Sequence, residues 1–202
     1  KLNGYQLVIV PPLLHVTDTA RQAFENSHSV VLYGPRTGSK TRHASIADGL
    51  APGPLRNLLG LRVTQVSSLR PNLTHRVKGK VNGSAVKWRG HVEAEAEVLA
   101  TFADGGPALT AKGKHHYLSC VPDEKLLAAA MAHVANAAGL KTVKLPPHVR
   151  LRRRGNLVFA FNYGNKAWKT ARIDRIKLGR VPVPAQGITI WGAAVDTLEN
   201  TT

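Results

Sequence analysis

Apolar and polar positions follow three different rhythms along this chain. Near its start, Tyr5 to Val10 is a short, nearly continuous apolar run ended by Pro11–Pro12. Such a run reads as a buried parallel strand, because both faces of a parallel strand are covered. A helix is predicted next: Thr17 or Asp18 can cap it, and Ala20, Ala23 and Phe24 recur at helical spacing. Ser29 to Tyr33 is a second apolar run. Strand, helix and strand in so short a span make a βαβ unit with a right-handed crossover. The chain begins without methionine and enters its first strand almost at once, so the sheet is expected to continue upstream of Lys1.

Residues 34–54 are rich in glycine and proline and read as a long loop. "PLRNLLG" (54–60) predicts a short helix stopped by Gly60, and "LRVTQVSSL" (61–69) alternates as an outer strand does. From 75 to 119 the rhythm becomes two-residue alternation. It is broken by Asn82–Gly83 and Gly105–Gly106, the signature of antiparallel hairpins, with "AVKWRGHVEAEAEVLATF" read as one segment. "PDEKLLAAAMAHVANAAG" (122–139) is the clearest helix, with Asp123 and Glu124 at its positive end, Gly139 past its last turn, and alanines suited to close packing on a sheet.

Pro146–Pro147 mark a boundary, after which Leu157, Phe159, Phe161 and Tyr163 face one way and Val158, Ala160 and Asn162 the other. A closing strand is predicted around Ile188 to Trp191. The expected architecture is an α/β domain over 1–144 followed by a small antiparallel β-sandwich over 145–202.

Composition changes this picture little. The 202 residues carry a formal net charge of +16, but the excess is spread: 18 Lys+Arg against 9 Asp+Glu before residue 145, and 10 against 3 after it. The basic sets Arg76, Lys78, Lys80, Lys87, Arg89 and Arg150, Arg152, Arg153, Arg154 lie in alternating segments, where they read as wet faces. A dedicated nucleic-acid surface is therefore the weaker reading. A single cysteine, Cys120, excludes an internal disulfide framework and a multi-cysteine zinc site. The histidines are scattered without ligand spacing, so no metal is expected. No apolar run approaches membrane-spanning length, no secretory signal is evident at the start, and a cytoplasmic location is expected.

One stretch invites a nucleotide. "LYGPRTGSKTRH" (32–43) follows an apolar run and offers glycines, Lys40 and Thr41. A phosphate loop needs Gly-x4-Gly-Lys-Ser/Thr opening a helix, so that successive N–H groups and the dipole face the anion. Here only three residues separate Gly34 from Gly38, Ser39 precedes Lys40, and Gly49, Pro52, Gly53 and Pro54 follow. No cofactor is expected.

The same stretch supports another identification. "LVIVPPLLHVTDTARQAF", "VVLYGPRTGSKTRHAS", "LAPGPLRNLLGLRVTQVSSLRP", "HYLSCVPDEKLLAAAM" and "VRLRRRGNLVFAFNYG" occur in this order. Together they resemble the C-terminal part of glycoside hydrolase family 42 β-galactosidases. The resemblance implies a flavodoxin-like, class I glutamine amidotransferase-like trimerisation domain and then a small β domain. It also implies that the parent's catalytic barrel, with its two glutamates, has no counterpart here, so that the segment meets galactoside only through the parent. The implied partners are further copies of the chain, as a homotrimer, and that barrel. The implied role is non-catalytic, with the loop bearing Arg36, Thr37, Ser39, Lys40 and Arg42 expected at the sheet's edge as a subunit contact.

Two chemistries internal to the segment compete with this. Glu93, Glu95 and Glu97 would stand about 6.6 Å apart on one strand face, a glycosidase-like separation, yet pointing in parallel rather than converging. A solvated face is the expectation. Cys120, with His115 and His116 nearby, sits before a helix as an amidotransferase nucleophile would. It lacks the flanking glycines of that turn, and the one His-x-Glu run, His91–Val92–Glu93, reads as a strand face without a matching cysteine turn, so a buried, inert thiol is expected. Trp88, Trp168 and Trp191 are read as strand residues more suited to burial than to sugar stacking.

Overall fold

The computed structural model describes residues 2–46, 49–142, 145–169 and 182–192. The chain divides into two compact units, Lys1–Thr142 and Val143–Thr202.

The first unit is built on a mixed nine-stranded sheet. Strand β1 (Leu7–Val10) leads through α1 (Asp18–Glu25) to β2 (Val30–Tyr33), and the two strands pair in parallel. Thr17 caps α1, its hydroxyl accepting from the Ala20 N–H at 3.1 Å. A 3₁₀ turn (Gly53–Leu55) and α2 (Arg56–Leu59) follow, and Gly60 ends them in the left-handed region at φ 59°. The remaining strands are β3 (Leu61–Ser68), β4 (Thr74–Gly79), β5 (Gly83–Ala94), β6 (Glu97–Phe102), β7 (Pro107–Lys112), β8 (His115–Leu118) and β9 (Cys120–Pro122), before α3 (Glu124–Ala137). The order across the sheet is β1-β2-β8-β7-β6-β4-β5-β3, with β9 pairing β5. Among the described residues of this unit β1–β2 and β2–β8 are parallel and the other strand pairings are antiparallel.

Alternation along β2 shows how the sheet is covered. Val30 and Leu32 enter a core cluster with Leu126 and Val134 of α3, whereas Val31 and Tyr33 enter a second with Phe24 of α1 and Leu55 and Leu59. The parallel end therefore carries helix on both faces, as its continuous apolar run requires. Helix α3 is capped by Asp123, whose carboxylate accepts from the Leu126 N–H at 2.7 Å, and it buries Ala130 and Ala135 against the sheet as its alanine content foretold.

The predicted single segment 85–102 is instead two strands that do not pair with each other. The break falls at Glu95–Ala96, where both N–H groups donate to the Gly60 carbonyl, at 2.9 and 3.0 Å. The flank of α2 thus claims the bonds that would have continued the strand.

The second unit shows a three-stranded antiparallel sheet, β10 (Val149–Arg154), β11 (Leu157–Asn162) and β12 (Gly187–Gly192), in that order. Val158, Ala160 and Asn162 are buried, and Phe159, Phe161 and Tyr163 stack along the other face at 6.5 Å steps. The second layer of a sandwich is not among the described residues. Trp168, expected in a strand, sits in an isolated bridge with Val183.

Candidate functional site

The loop after β2 is tied down on three sides. The N–H groups of Gly38 and Lys40 donate to the carbonyls of Leu13 and Leu14, each at 2.9 Å. Residues 40–46 form a tight hairpin, closed by a Lys40–Ile46 bridge and the Thr41 N–H donating to the Ser45 carbonyl at 2.9 Å. Ala51 bridges Val63 on β3, accepting from its N–H at 2.7 Å, so the loop lies along the sheet's edge. The amides that a phosphate would require are thus engaged by carbonyls, and no helix opens at Lys40. The glycines serve packing: a Cβ on Gly38 would lie 2.0 Å from the Pro52 carbonyl oxygen.

The loop candidates separate by burial. Thr37 is fully buried, and its hydroxyl donates to the Gly34 carbonyl at 2.8 Å, so it shapes the loop from within. Arg36 and Arg42 are exposed, and Ser39 and Lys40 half-buried. Ile46 is 79% exposed, with Leu50 at 39% and Val66 of the edge strand at 55%. These three line one open cavity of about 540 Å³ together with Arg36 and Lys40. The pattern showed a Gly/Pro loop but gave no sign of this apolar rim, because Val66 comes from another element.

The catalytic alternatives fare differently. Glu93 lies on β5 and Glu97 on β6, with Glu95 in the break between them, so the three do not share one strand face. All are exposed, and Glu93 forms an ion pair with Arg62 on the neighbouring strand β3. Cys120 is fully buried, and burial pushes its thiol up to about 12. Its neighbours Ser119, Val121 and Pro122 run on as strand and cap, not as a tight turn. His115 and His116 point to opposite faces: Nδ1 of His115 lies 3.1 Å from the Tyr33 hydroxyl, and the His116 ring meets His133 of α3 edge-on at 5.5 Å. Burial holds both imidazoles below their ordinary range. A thiolate is the reactive form of cysteine, so thiol labelling of the folded chain at pH 8 is expected to run at least a hundredfold slower than labelling of the unfolded chain. A rate within tenfold would revive Cys120 as a nucleophile.

Arg89 departs from the wet face predicted for it. It is 3% exposed, donates to Asp104 Oδ2 and to His75 Nδ1 at 2.9 Å each, and stacks 4.1 Å over the Phe102 ring. Its guanidinium holds the Asp104 carboxyl below the usual carboxylate range. Alternation placed it with Lys87 on a polar face, but Lys87 takes a positive φ of 61° and the pairing with β9 shifts register between Ala85 and Arg89, so the alternation does not carry through and Arg89 is buried beside Cys120. The cluster is a structural pin.

Comparison with known proteins gives these features a context. A family described as the β-galactosidase trimerisation domain matches residues 1–141. β-Galactosidase BgaA of Thermus sp is 41% identical over 196 residues, 96% of this chain and 30% of its own length. A β-galactosidase of Thermus thermophilus is 40% identical over the same shares. Among solved structures, a β-galactosidase from the psychrophilic Marinomonas ef1 superposes with a TM-score of 0.87 at 34% identity, over 94% of this chain and 29% of that one. The enzyme of the haloarchaeon Halorubrum lacusprofundi gives 0.85 at 26% identity, over 95% and 32%. The chain therefore spans about 30% of the length of these curated relatives. With a family model matched over residues 1–141 and a relative 41% identical over 96% of the chain, this protein belongs to the β-galactosidase trimerisation domain family.

Proposed function

We propose that this chain is the assembly segment of a retaining β-galactosidase, holding protomers in a homotrimer while the bond cleavage is done by residues outside it. The observation that carries this is the family match over residues 1–141. The finer reading of the first unit as an amidotransferase-like trimerisation domain is supported by its parallel β1-β2-β8 edge with helix on both faces. The assignment of 1–144 and 145–202 as separate domains is supported by the division of contacts between Thr142 and Val143. A β-sandwich for the second is supported so far by one antiparallel sheet. A cytoplasmic setting is consistent with a lone buried thiol; no helix among the described residues is long and apolar enough to cross a membrane.

Closed trimers need a heterologous contact, in which one patch meets a different patch on the next copy. The loop rim of Ile46 and Leu50, beside Arg36, Lys40 and Arg42, is our candidate for one of these patches. An isoleucine 79% exposed in the closing pair of a braced hairpin contributes little to its own monomer and gains most of its burial only against a neighbour. Ile46→Asp is expected to weaken self-association at least tenfold by sedimentation, with the unfolding midpoint unchanged. Unchanged association would remove the loop from the interface and leave the assembly role to another surface.

A further inference from the structure

The cavity beside this loop has a chemistry that subunit packing does not explain. It measures about 540 Å³, the size of a small-ligand site, and is formed by a single protomer between residues 36–46 and 49–51 of the loop, β3, β5 and β8. Its walls divide by character. Val66 and the half-buried indole of Trp88 supply an apolar side, and Arg36 and Lys40 bring two positive charges. Among the described residues no carboxylate lines it, and neither cation is in an ion pair.

The floor adds two polar groups that the fold leaves unanswered. Tyr117 is 1% exposed, and its hydroxyl lies beside the Arg36 backbone with no acceptor for its own proton. The buried hydroxyl of Ser39 is equally without a partner. An unanswered buried donor is costly, and buried hydroxyls in folded proteins nearly always have a partner. Both belong to the lining of the cavity, Ser39 on the loop that forms one wall and Tyr117 beneath it. Two cations and two donors lacking acceptors call for an acceptor-rich anion, and the indole and valine call for an apolar body attached to it.

We infer that this cavity is a binding site for a small organic carboxylate carrying a ring-sized apolar group, with the anion toward Arg36, Lys40, Ser39 and Tyr117 and the apolar group toward Trp88 and Val66. This goes beyond the assembly role; the site shares Arg36 and Lys40 with the candidate subunit patch, so its occupancy is read on protein dilute enough to be monomeric. Titration of the whole chain with 3-phenylpropionate, followed by calorimetry and by tryptophan emission, tests it. Saturable binding is expected, with the neutral 3-phenylpropionamide at least tenfold weaker and affinity falling as salt is raised. Lys40→Gln and Tyr117→Phe should each weaken binding about tenfold; the second removes an unpartnered hydroxyl and is expected to leave the unfolding midpoint in place. Trp88→Phe should abolish the emission change while calorimetry still detects binding. No saturable heat up to about 10 mM probe, equal affinity for acid and amide, or full affinity in both Lys40→Gln and Tyr117→Phe would overturn the assignment.

Discussion

Gly38→Ala is expected to destabilise the first unit by about 3 kcal/mol or more, seen as a lowered denaturant midpoint. Two penalties coincide at this residue. Its φ of 68° is a region where an L side chain is strained, and an added Cβ would sit 2.0 Å from the Pro52 carbonyl oxygen and 2.5 Å from its carbonyl carbon. Neither neighbour is a flexible side-chain end that can swing away. Relief would require the loop to part from the 3₁₀ turn, breaking the bonds that tie Gly38 and Lys40 to Leu13 and Leu14. Gly113 provides the control. Its φ of 57° is similar, yet nothing lies within 4 Å of a Cβ built there, so Gly113→Ala should cost only about 1 kcal/mol. Equal effects at the two sites would show that backbone strain alone matters and that the loop is not braced as described.

The second large effect is an asymmetry at the buried arginine. Asp104→Ala is expected to cost about 2–4 kcal/mol, because it leaves the guanidinium of Arg89 charged, 3% exposed, and facing only His75 and the Phe102 ring. Arg89→Met should cost clearly less: Asp104 is half exposed and returns to water, while the methionine keeps apolar contact with Phe102. Combining the two should recover much of the loss seen with Asp104→Ala, a coupling that a double-mutant cycle reads directly. The pH dependence follows from the same pair. The folded-state pKa of Asp104 is lowered, so the unfolded chain binds its proton first on acidification. The stabilisation is complete above the unfolded value, about 3.9, and is lost as pH falls through the folded one. Arg89→Met should therefore flatten the acid limb of the stability profile. An Asp104→Ala protein as stable as the parent would mean that water reaches the guanidinium.

Where the chain's signals were local, they could be read directly. The βαβ opening, the Thr17 cap, the Gly60 stop, the 105–106 turn and the Asp123-led helix each rest on residues close in sequence. What escaped depends on pairings between distant segments. β8 lies beside β2, more than 80 residues earlier, and alternation says nothing about which strand neighbours which. Arg89 looked solvated because the register shift that β5 makes against β9, between Ala85 and Arg89, breaks an alternation that seems unbroken in sequence, and the glutamate run looked continuous because the Gly60 carbonyl that interrupts it comes from another element. The loop's candidate side chains were named from sequence, but Thr37 turned out internal, and the apolar rim and the unpartnered Tyr117 hydroxyl appear only once β3 and β8 are set beside the loop. The assembly role itself became visible through family resemblance, since no single motif encodes an interface.

Sedimentation equilibrium of this chain tests that role most directly. The account predicts a concentration-dependent species at three times the 21.8 kDa protomer mass, weakened by Ile46→Asp. A strictly monomeric species across the accessible concentration range would contradict it.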